Sequence, residues 1–348
     1  MTAGDATSWP LLAPAPDGPP VVRGEPSFSV VIAAYQAESS IGDALDSVLS
    51  QTVAPLEVVV CDDGSTDGTA AVLARYAGRI RVLWQPNTGE AAAKNAAVRA
   101  SGGEYVVVLD ADDVFLPQRL EALRWAAAVR PDLDVLTTDA VVEADGTPVR
   151  NAYHAGWTFP VEDQRAAIVD RNFVFGLAAV RRERWLEVGG FDEALSRTTD
   201  WDFWMRLILS GSRVGLLNVP LARYRLSSGT LSSDRVRLLR GRVAVLTRAA
   251  GRDDLSPHER ATVAAALRRE RRDLLLREAE AALRAGGRTA RRAGARVVVV
   301  RGVSSRTRLS GVAQLLLPGL LLRRRVRRAG GTVEIGAGLR VSRPDQPD

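Results

Sequence analysis

From Phe28 onward, short runs of β-branched and aliphatic residues alternate with longer segments whose apolar positions recur every three or four residues. That alternation predicts parallel strands joined by helical crossovers. FSVVIAAY from Phe28 gives a first strand, and Ser39 and Ser40 stand where a side-chain oxygen can cap a helix with Ile41, Leu45, Val48 and Leu49 on one stripe. LEVVVC from Leu56, RIRVLWQ from Arg79 and EYVVVLD from Glu104 predict three more strands, separated by helices starting near Asp67 and covering Glu90 to Ala100. Pro117 opens another helix that ends near Pro131, after which DVLTTDAVVEADGTPVR predicts two strands around an Asp145-Gly146 turn. Residues 151–233 mix aromatics, loops and one strong helix around Trp201 to Ser210, a composition suited to the second wall of a cleft. Beyond Asp234 the pattern is helical and rich in arginine, with one long helix from Pro257 to Ala285.

The expected fold class is therefore α/β, a Rossmann-like mixed sheet with helices on both faces, followed by an α-helical extension. The organisation that goes with it is a disordered, proline-rich lead over 1–26 and a main domain over 27–233, with halves at 27–150 and 151–233. A basic helical extension over 234–330 and a tail over 331–348 follow.

Composition narrows the function classes. With 46% hydrophobic and 25% charged residues, the chain has the make-up of a folded globular protein. Its single cysteine, Cys61, excludes an internal disulfide framework and a cysteine-rich zinc site, which points to a reducing compartment. The N-terminus lacks the basic and apolar regions of a secretory signal, so a cytoplasmic location is expected. The net charge of +6 is uneven: from Arg235 to Gly330 there are 25 arginines and 7 acids. LLLPGLLL followed by RRRVRR, from Leu315 to Arg328, sets an apolar patch beside a cationic one. This suits peripheral association with an anionic membrane, on the inner face of the plasma membrane, as well as it suits a buried packing helix with a solvated arginine edge. The stretch from Leu309 to Leu322 is 14 residues with a proline, short of the roughly 20 that span a bilayer. No aromatic or motif pattern supports nucleic-acid binding.

The candidate chemistry lies in two aspartate clusters at expected strand ends, where ligands gather in open α/β sheets. DDGSTDGT (62–69) follows the second strand; Gly64 allows a tight turn and Asp67 can cap the next helix, so a capped turn is the plain alternative to a ligand site. DADD (110–113) follows the fourth. Neighbouring acids there repel one another unless a cation or hydrogen-bond donors compensate, and magnesium or manganese favours carboxylates shared with a diphosphate.

SVVIAAYQ, DDGSTD, NTGEAAAKNAA and GEYVVVLDADD together resemble glycosyltransferase family 2, whose fold is GT-A. The likeness runs from about Phe28 to Ala128 and resumes at GGFDEALSRTTDWDFWMRL, residues 189–207. It implies an inverting transferase that moves a sugar from a nucleoside-diphosphate sugar to a hydroxyl on a saccharide or lipid-linked acceptor, in cell-surface polysaccharide or glycolipid synthesis. A divalent cation, Mg2+ or Mn2+, is implied as cofactor. In the donor site, the resemblance implies that Ala33 and Tyr35 pack on the nucleotide base and that Asp63 accepts a hydrogen bond from it. Asp110 would face ribose or metal, and Asp112 would ligate the metal. Lys94 matches a cationic position near the nucleotide-sugar, or is an exposed helix lysine. Asp200 is the implied catalytic base, or else the cap of a helix starting at Trp201. Asp202 and Arg225 are further candidates for substrate contact.

Two departures stand out. The family pattern has Glu-Asp where this chain has Thr199-Asp200, and Leu226 stands where a histidine is common after the Tyr224-Arg225 pair, leaving any phosphate contact there to Arg225, Ser227, Ser228 or the backbone. His154 and His258 are expected at the surface. A nucleotide-sugar-binding module that no longer transfers sugar is the rival class.

Overall fold

The computed structural model describes residues 9–16, 24–195, 198–226, 235–285, 287–299, 305–316, 332–335 and 339–342. The chain divides into two compact units, Met1–Ser227 and Ser228–Asp348.

The first unit runs β1 (Leu11–Leu12), β2 (Phe28–Ala34), α1 (Ile41–Leu49), β3 (Glu57–Asp62), α2 (Thr69–Ala74), β4 (Arg81–Trp84), α3 (Glu90–Ala100) and β5 (Tyr105–Asp110). It continues with β6 (Val114–Phe115), α4 (Arg119–Val129), β7 (Val135–Ala144), β8 (Thr147–Asn151), α5 (Gln164–Asp170), β9 (Ala179–Arg181), α6 (Arg182–Glu187), α7 (Thr199–Leu209) and β10 (Val214–Leu226). All ten strands form one sheet, ordered β1-β10-β7-β9-β5-β2-β3-β4, with β6 on β10 and β8 on β7. β5, β2, β3 and β4 are parallel, β9 runs antiparallel to both β5 and β7, and β10 is parallel to β7. The sheet is therefore mixed, and the two expected halves share it.

The central strands are valine-rich because they are covered on both faces, so Val30, Val31 and Ile32 of β2 and Val106 and Val107 of β5 are all fully buried. Register does the functional work. Ala33 pairs with Cys61 and Asp110, and Ala34 pairs with Asp62, which brings the carboxyl ends of β2, β3 and β5 level. Crossovers leave in opposite directions from β2, making its border with β5 the switch point where a ligand crevice opens.

Several expectations need correction. The N-terminal segment expected to lack structure supplies β1, which pairs antiparallel with β10, and Asn218 donates its N–H to the Pro10 carbonyl at 2.8 Å. Ser40 holds the first-cap position of α1 but makes no side-chain capping bond; the helix start is secured by Ile41 N–H on the Ala37 carbonyl. Asp67 lies two residues before α2 and accepts from the Thr69 backbone N–H at 3.0 Å.

The second unit holds α8 (Arg235–Ala250), α9 (Pro257–Ala285), α10 (Gly287–Val299) and α11 (Ser305–Leu316). The tail adds an antiparallel hairpin of β11 (Thr332–Ile335) and β12 (Leu339–Ser342). Most of LLLPGLLL and all of RRRVRR, together with Ser227 and Ser228, lie outside the described residues.

A clamp between α3 and the loop before α7 fixes the two walls of the crevice. The Asn95 amide donates to the Phe191 carbonyl and accepts from the Phe191 N–H, both at 2.8 Å. Gly190 lies beneath it at φ +72, where an added Cβ would fall 2.4 Å from the Asn95 amide oxygen and 2.9 Å from the Trp185 indole nitrogen. We expect Gly190→Ala to cost about 2–4 kcal/mol through strain and a broken clamp, read as a lower unfolding midpoint in denaturant. An unchanged midpoint would show the clamp to be dispensable.

Candidate active site

The loops after β2 and β3 are knitted together at the crevice floor. Gln36, at φ +50, takes the Thr66 N–H on its amide oxygen at 2.7 Å and donates its own N–H to Ser65 Oγ at 3.0 Å. Gly64 turns at φ +76, and a Cβ there would meet the Asn87 backbone nitrogen at 2.8 Å, so only glycine closes this turn without strain. Tyr35 extends past β2 with half its surface exposed, and Ala33 is half-buried beneath it in sequence.

The first aspartate pair divides its labour. Asp63 is buried, with Oδ1 accepting from Gln85 Nε2 at 2.7 Å and Thr88 N–H at 2.9 Å, and Oδ2 from Gly89 N–H at 2.8 Å. Both oxygens hold the loop before α3, so Asp63 shapes the wall of the crevice. Asp62 is also buried; its Oδ1 accepts from the Ser65 N–H at 2.8 Å, but its Oδ2 has no partner. A buried carboxylate oxygen without a donor is costly and marks a place for one.

Lys94 is buried on α3, not exposed. Its ammonium donates to Asp110 Oδ1 at 2.6 Å and to Glu90 one helical turn earlier. Burial opposes the charge, but Asp110 and Glu90 outweigh it and push the ammonium above its ordinary range. Glu90 escaped the sequence reading, although its four-residue spacing from Lys94 was a usable signal.

Around this pair the DADD loop gathers charge. Asp112 stands at the rim, an exposed residue whose carboxyl is pushed up by partial burial and then by Asp110. Asp113 is buried, with Oδ1 accepting from Arg225 N–H at 2.9 Å and Oδ2 unpartnered; burial and then Asp110 hold it well above the usual carboxylate range. Under the loop, Arg119 is fully buried, donates to Thr138 Oγ1 and the Leu177 carbonyl, and lies 4.5 Å from the Phe115 ring centre.

Asp200 closes the other side. Helix α7 begins at Thr199 after Thr198, so Asp200 lies within the first turn and the capping alternative falls away. Its Oδ2 accepts from Asn172 Nδ2 at 2.9 Å, a partner that nothing in the sequence announced. Burial pushes the Asp200 carboxyl up; the Trp201 N–H and the Lys94 ammonium pull it back, and Glu90 adds to the rise. Tyr224, on β10, lies in the same field: burial and then Asp110, Asp113, Asp112 and Asp200 all raise its phenol. Beside Tyr224 stands an aromatic wall, with Tyr153 stacked on Trp157 at 4.8 Å and Phe175 edge-on to both Trp157 and Tyr224.

Two further candidates have protein partners. Asp202 is buried and bonds Arg206 Nε at 2.7 Å, and Arg206 also donates to the Gly190 carbonyl at 2.6 Å, which ties the start of α7 to the Asn95 clamp. The Arg225 guanidinium reaches Asp43 on α1 at 3.0 Å, and only its backbone N–H touches the DADD loop. His154 and His258 are exposed.

Among the described residues no three side chains form a ready-made metal cage. The donor set nevertheless suits a hard cation that takes one or two carboxylates and completes its shell with water and phosphate. Asp112 is open to solvent, Asp110 is beside it, and the surrounding carboxylates are under-neutralised.

The model for "Glycosyl transferase family 2" matches residues 29–185. The chain is 31% identical over 216 residues to the putative teichuronic acid biosynthesis glycosyltransferase TuaG of Bacillus subtilis, covering 61% of this chain and 83% of that protein. It is 35% identical over 188 residues to the chondroitin synthase of Pasteurella multocida, but that match covers 52% of this chain and only 19% of the synthase. The chain therefore spans a small part of the synthases it matches. Residues 1–349 of S. aureus TarS share the fold at a TM-score of 0.58 and 17% identity, over 91% of this chain and 96% of that one. The chain belongs to glycosyltransferase family 2, and its fold is GT-A.

The charge imbalance has a measurable consequence. Asp112 binds its proton more tightly folded than unfolded, so its contribution to stability falls as pH rises from the unfolded value of 3.8 through the raised folded one. Asp112→Asn should therefore unfold at a higher temperature than the parent near pH 8, with the difference shrinking toward pH 4 and amounting to roughly a few tenths of a kcal/mol after solvent screening. A variant less stable at both pH values would contradict this account of the cluster.

Proposed function

We propose that this chain is an inverting glycosyltransferase that moves a sugar from a nucleoside-diphosphate sugar to a hydroxyl on a saccharide or lipid-linked acceptor, in cell-surface polysaccharide or glycolipid synthesis. The observation that carries the reading is the Lys94 ammonium, which bonds the donor-side Asp110 at 2.6 Å and acts on the charge of Asp200. A crystal structure of TarS 1–349 holds UDP-GlcNAc, which supports a nucleotide-sugar as donor here.

In this reading Ala33 and Tyr35 border the nucleotide base, and Asp63, whose Oδ2 holds only the Gly89 N–H, accepts a hydrogen bond from it. Asp110 faces the ribose or metal, with Lys94 keeping it ionised and fixed. Asp112 holds a divalent cation, Mg2+ or Mn2+, whose chemistry when bound is to stabilise the departing diphosphate. Asp200 takes the proton from the acceptor hydroxyl as that oxygen attacks the anomeric carbon. Its raised affinity for protons makes it a better base than an exposed aspartate, and Asn172 aims its second oxygen. The phenol of Tyr224 remains protonated and can donate to groups that enter between the two sides. Thr199, in place of an acid, avoids adding another negative charge beside Asp200. A cytoplasmic enzyme lying peripherally on an anionic membrane fits a lipid-linked acceptor, and the arginine-rich second unit supports that placement.

A panel of nucleoside-diphosphate sugars, scored for release of nucleoside diphosphate with and without Mn2+, tests the reading. Metal-dependent release should fall by at least about a hundredfold in Asp200→Asn with nucleotide binding retained. Asp112→Asn should lose the response to Mn2+. Binding of nucleotide without turnover of any donor would instead favour a non-catalytic module, and full activity in Asp200→Asn would remove Asp200 from the chemistry.

A further inference from the structure

The mechanism proposed above gives Glu90 no task, yet two sets of contacts fix this side chain at the crevice. Asp63 takes the Thr88 N–H at 2.9 Å on Oδ1 and the Gly89 N–H at 2.8 Å on Oδ2, which sets the point where α3 begins and therefore where Glu90 stands. One helical turn later the buried Lys94 donates to Glu90 Oε1 and, at 2.6 Å, to Asp110 Oδ1. Held in this way, the Glu90 side chain is still 70% exposed, and its Oε2 has no partner among the described residues. An acid in the first turn and a lysine four residues on also steady a helix, but a helix asks neither for burial of the lysine nor for a third charge on it.

The position of Glu90 relates it to the sugar. In the proposed reading the sugar lies between the diphosphate, gathered at Asp110 and Asp112, and the base, Asp200. Glu90 shares its ammonium with Asp110, and its charge acts on both Asp112 and Asp200. A carboxylate only accepts hydrogen bonds, so a pre-placed and unused oxygen there suits a sugar hydroxyl. A sugar that is itself a carboxylate meets repulsion instead. Lys94 is already engaged by Asp110 and Glu90, the Arg225 guanidinium by Asp43, and Arg119 is fully buried beneath the DADD loop, so none of these three cations is left to receive it.

We propose that Glu90 selects the donor sugar: its free oxygen accepts a hydrogen bond from a hydroxyl of a neutral sugar, and its charge turns away a sugar that carries a carboxylate. This rests on the donor site proposed above and adds the class of sugar that the site takes.

Calorimetry with Mn2+ present tests this on donor pairs that differ only in the oxidation of C6: UDP-glucose with UDP-glucuronic acid, UDP-N-acetylglucosamine with its uronic acid, and GDP-mannose with GDP-mannuronic acid. Contacts to nucleotide, diphosphate and metal cancel in the ratio within a pair. With the nucleotide that the chain takes, the parent should bind the neutral member at least about tenfold more tightly, the scale of two like charges about 7 Å apart in a partly screened site. Glu90→Gln keeps the size of the side chain and an acceptor for Lys94, and should bring the two members of a pair to within about threefold of each other. Glu90→Ala, which also loses the acceptor, should bind the neutral member about fivefold more weakly than Glu90→Gln does. A ratio unchanged in Glu90→Gln, or a parent that prefers the uronate, overturns Glu90 as the selector and leaves the transferase reading in place. Binding of UDP or GDP with none of the neutral sugars does the same. A parent that binds neither UDP, GDP nor any of these donors overturns the donor site itself.

Discussion

One buried ammonium governs the active-site half of this molecule. Four carboxylates, Asp110, Asp112, Asp113 and Asp200, and the Glu90 side chain converge on a crevice bordered by apolar and aromatic groups, an arrangement that would repel itself apart or protonate without compensation. Lys94 is the cation placed among them, and it is carried by a helix that register and clamp hold in place. The level strand ends put Asp110 in its reach, and the Asn95 bracket on Phe191 ties α3 to the loop preceding α7 and therefore to Asp200. Lys94, with the Arg119 guanidinium beneath the loop, does not neutralise the whole set. Burial, and after it the residual negative field, raises Asp112, Asp113 and the Tyr224 phenol together, and in the proposed reading this unmet demand for positive charge is what a divalent cation would answer.

Much of this was legible in the sequence. Strands β2, β3 and β5 follow from valine-rich runs because they are covered on both faces, β4 follows from a short apolar run at the sheet edge, and helix α3 has its expected bounds because GE opens it and the chain turns extended at Ser101. Both aspartate clusters lie at strand ends because the β-α rhythm leaves loops nowhere else. Lys94 was recognisable as a candidate, yet its burial was not: a lysine four residues after a glutamate fits a solvated helix face equally well until the sheet places Asp110 across from it.

What sequence could not supply were contacts between distant segments. Asn172 holds Asp200 across 28 positions, Asp63 turns to Gln85, Thr88 and Gly89, and Asp202 is claimed by Arg206. Each is a choice among hydrogen-bond partners that only tertiary placement decides. The brief β1 strand illustrates the same limit, since two leucines in a proline-rich lead carry no strand pattern of their own and pair only because β10 presents an edge.

In the proposed mechanism the Lys94 charge couples the donor and acceptor sides by lowering the proton affinity of Asp200. The most direct test is the pH dependence of kcat/KM for sugar transfer in the parent and in Lys94→Met. With the ammonium gone, the acidic limb governed by Asp200 should move to higher pH, because the carboxylate loses its stabilising charge while its burial remains. An acidic limb that stays in place, or moves to lower pH, would rule this coupling out.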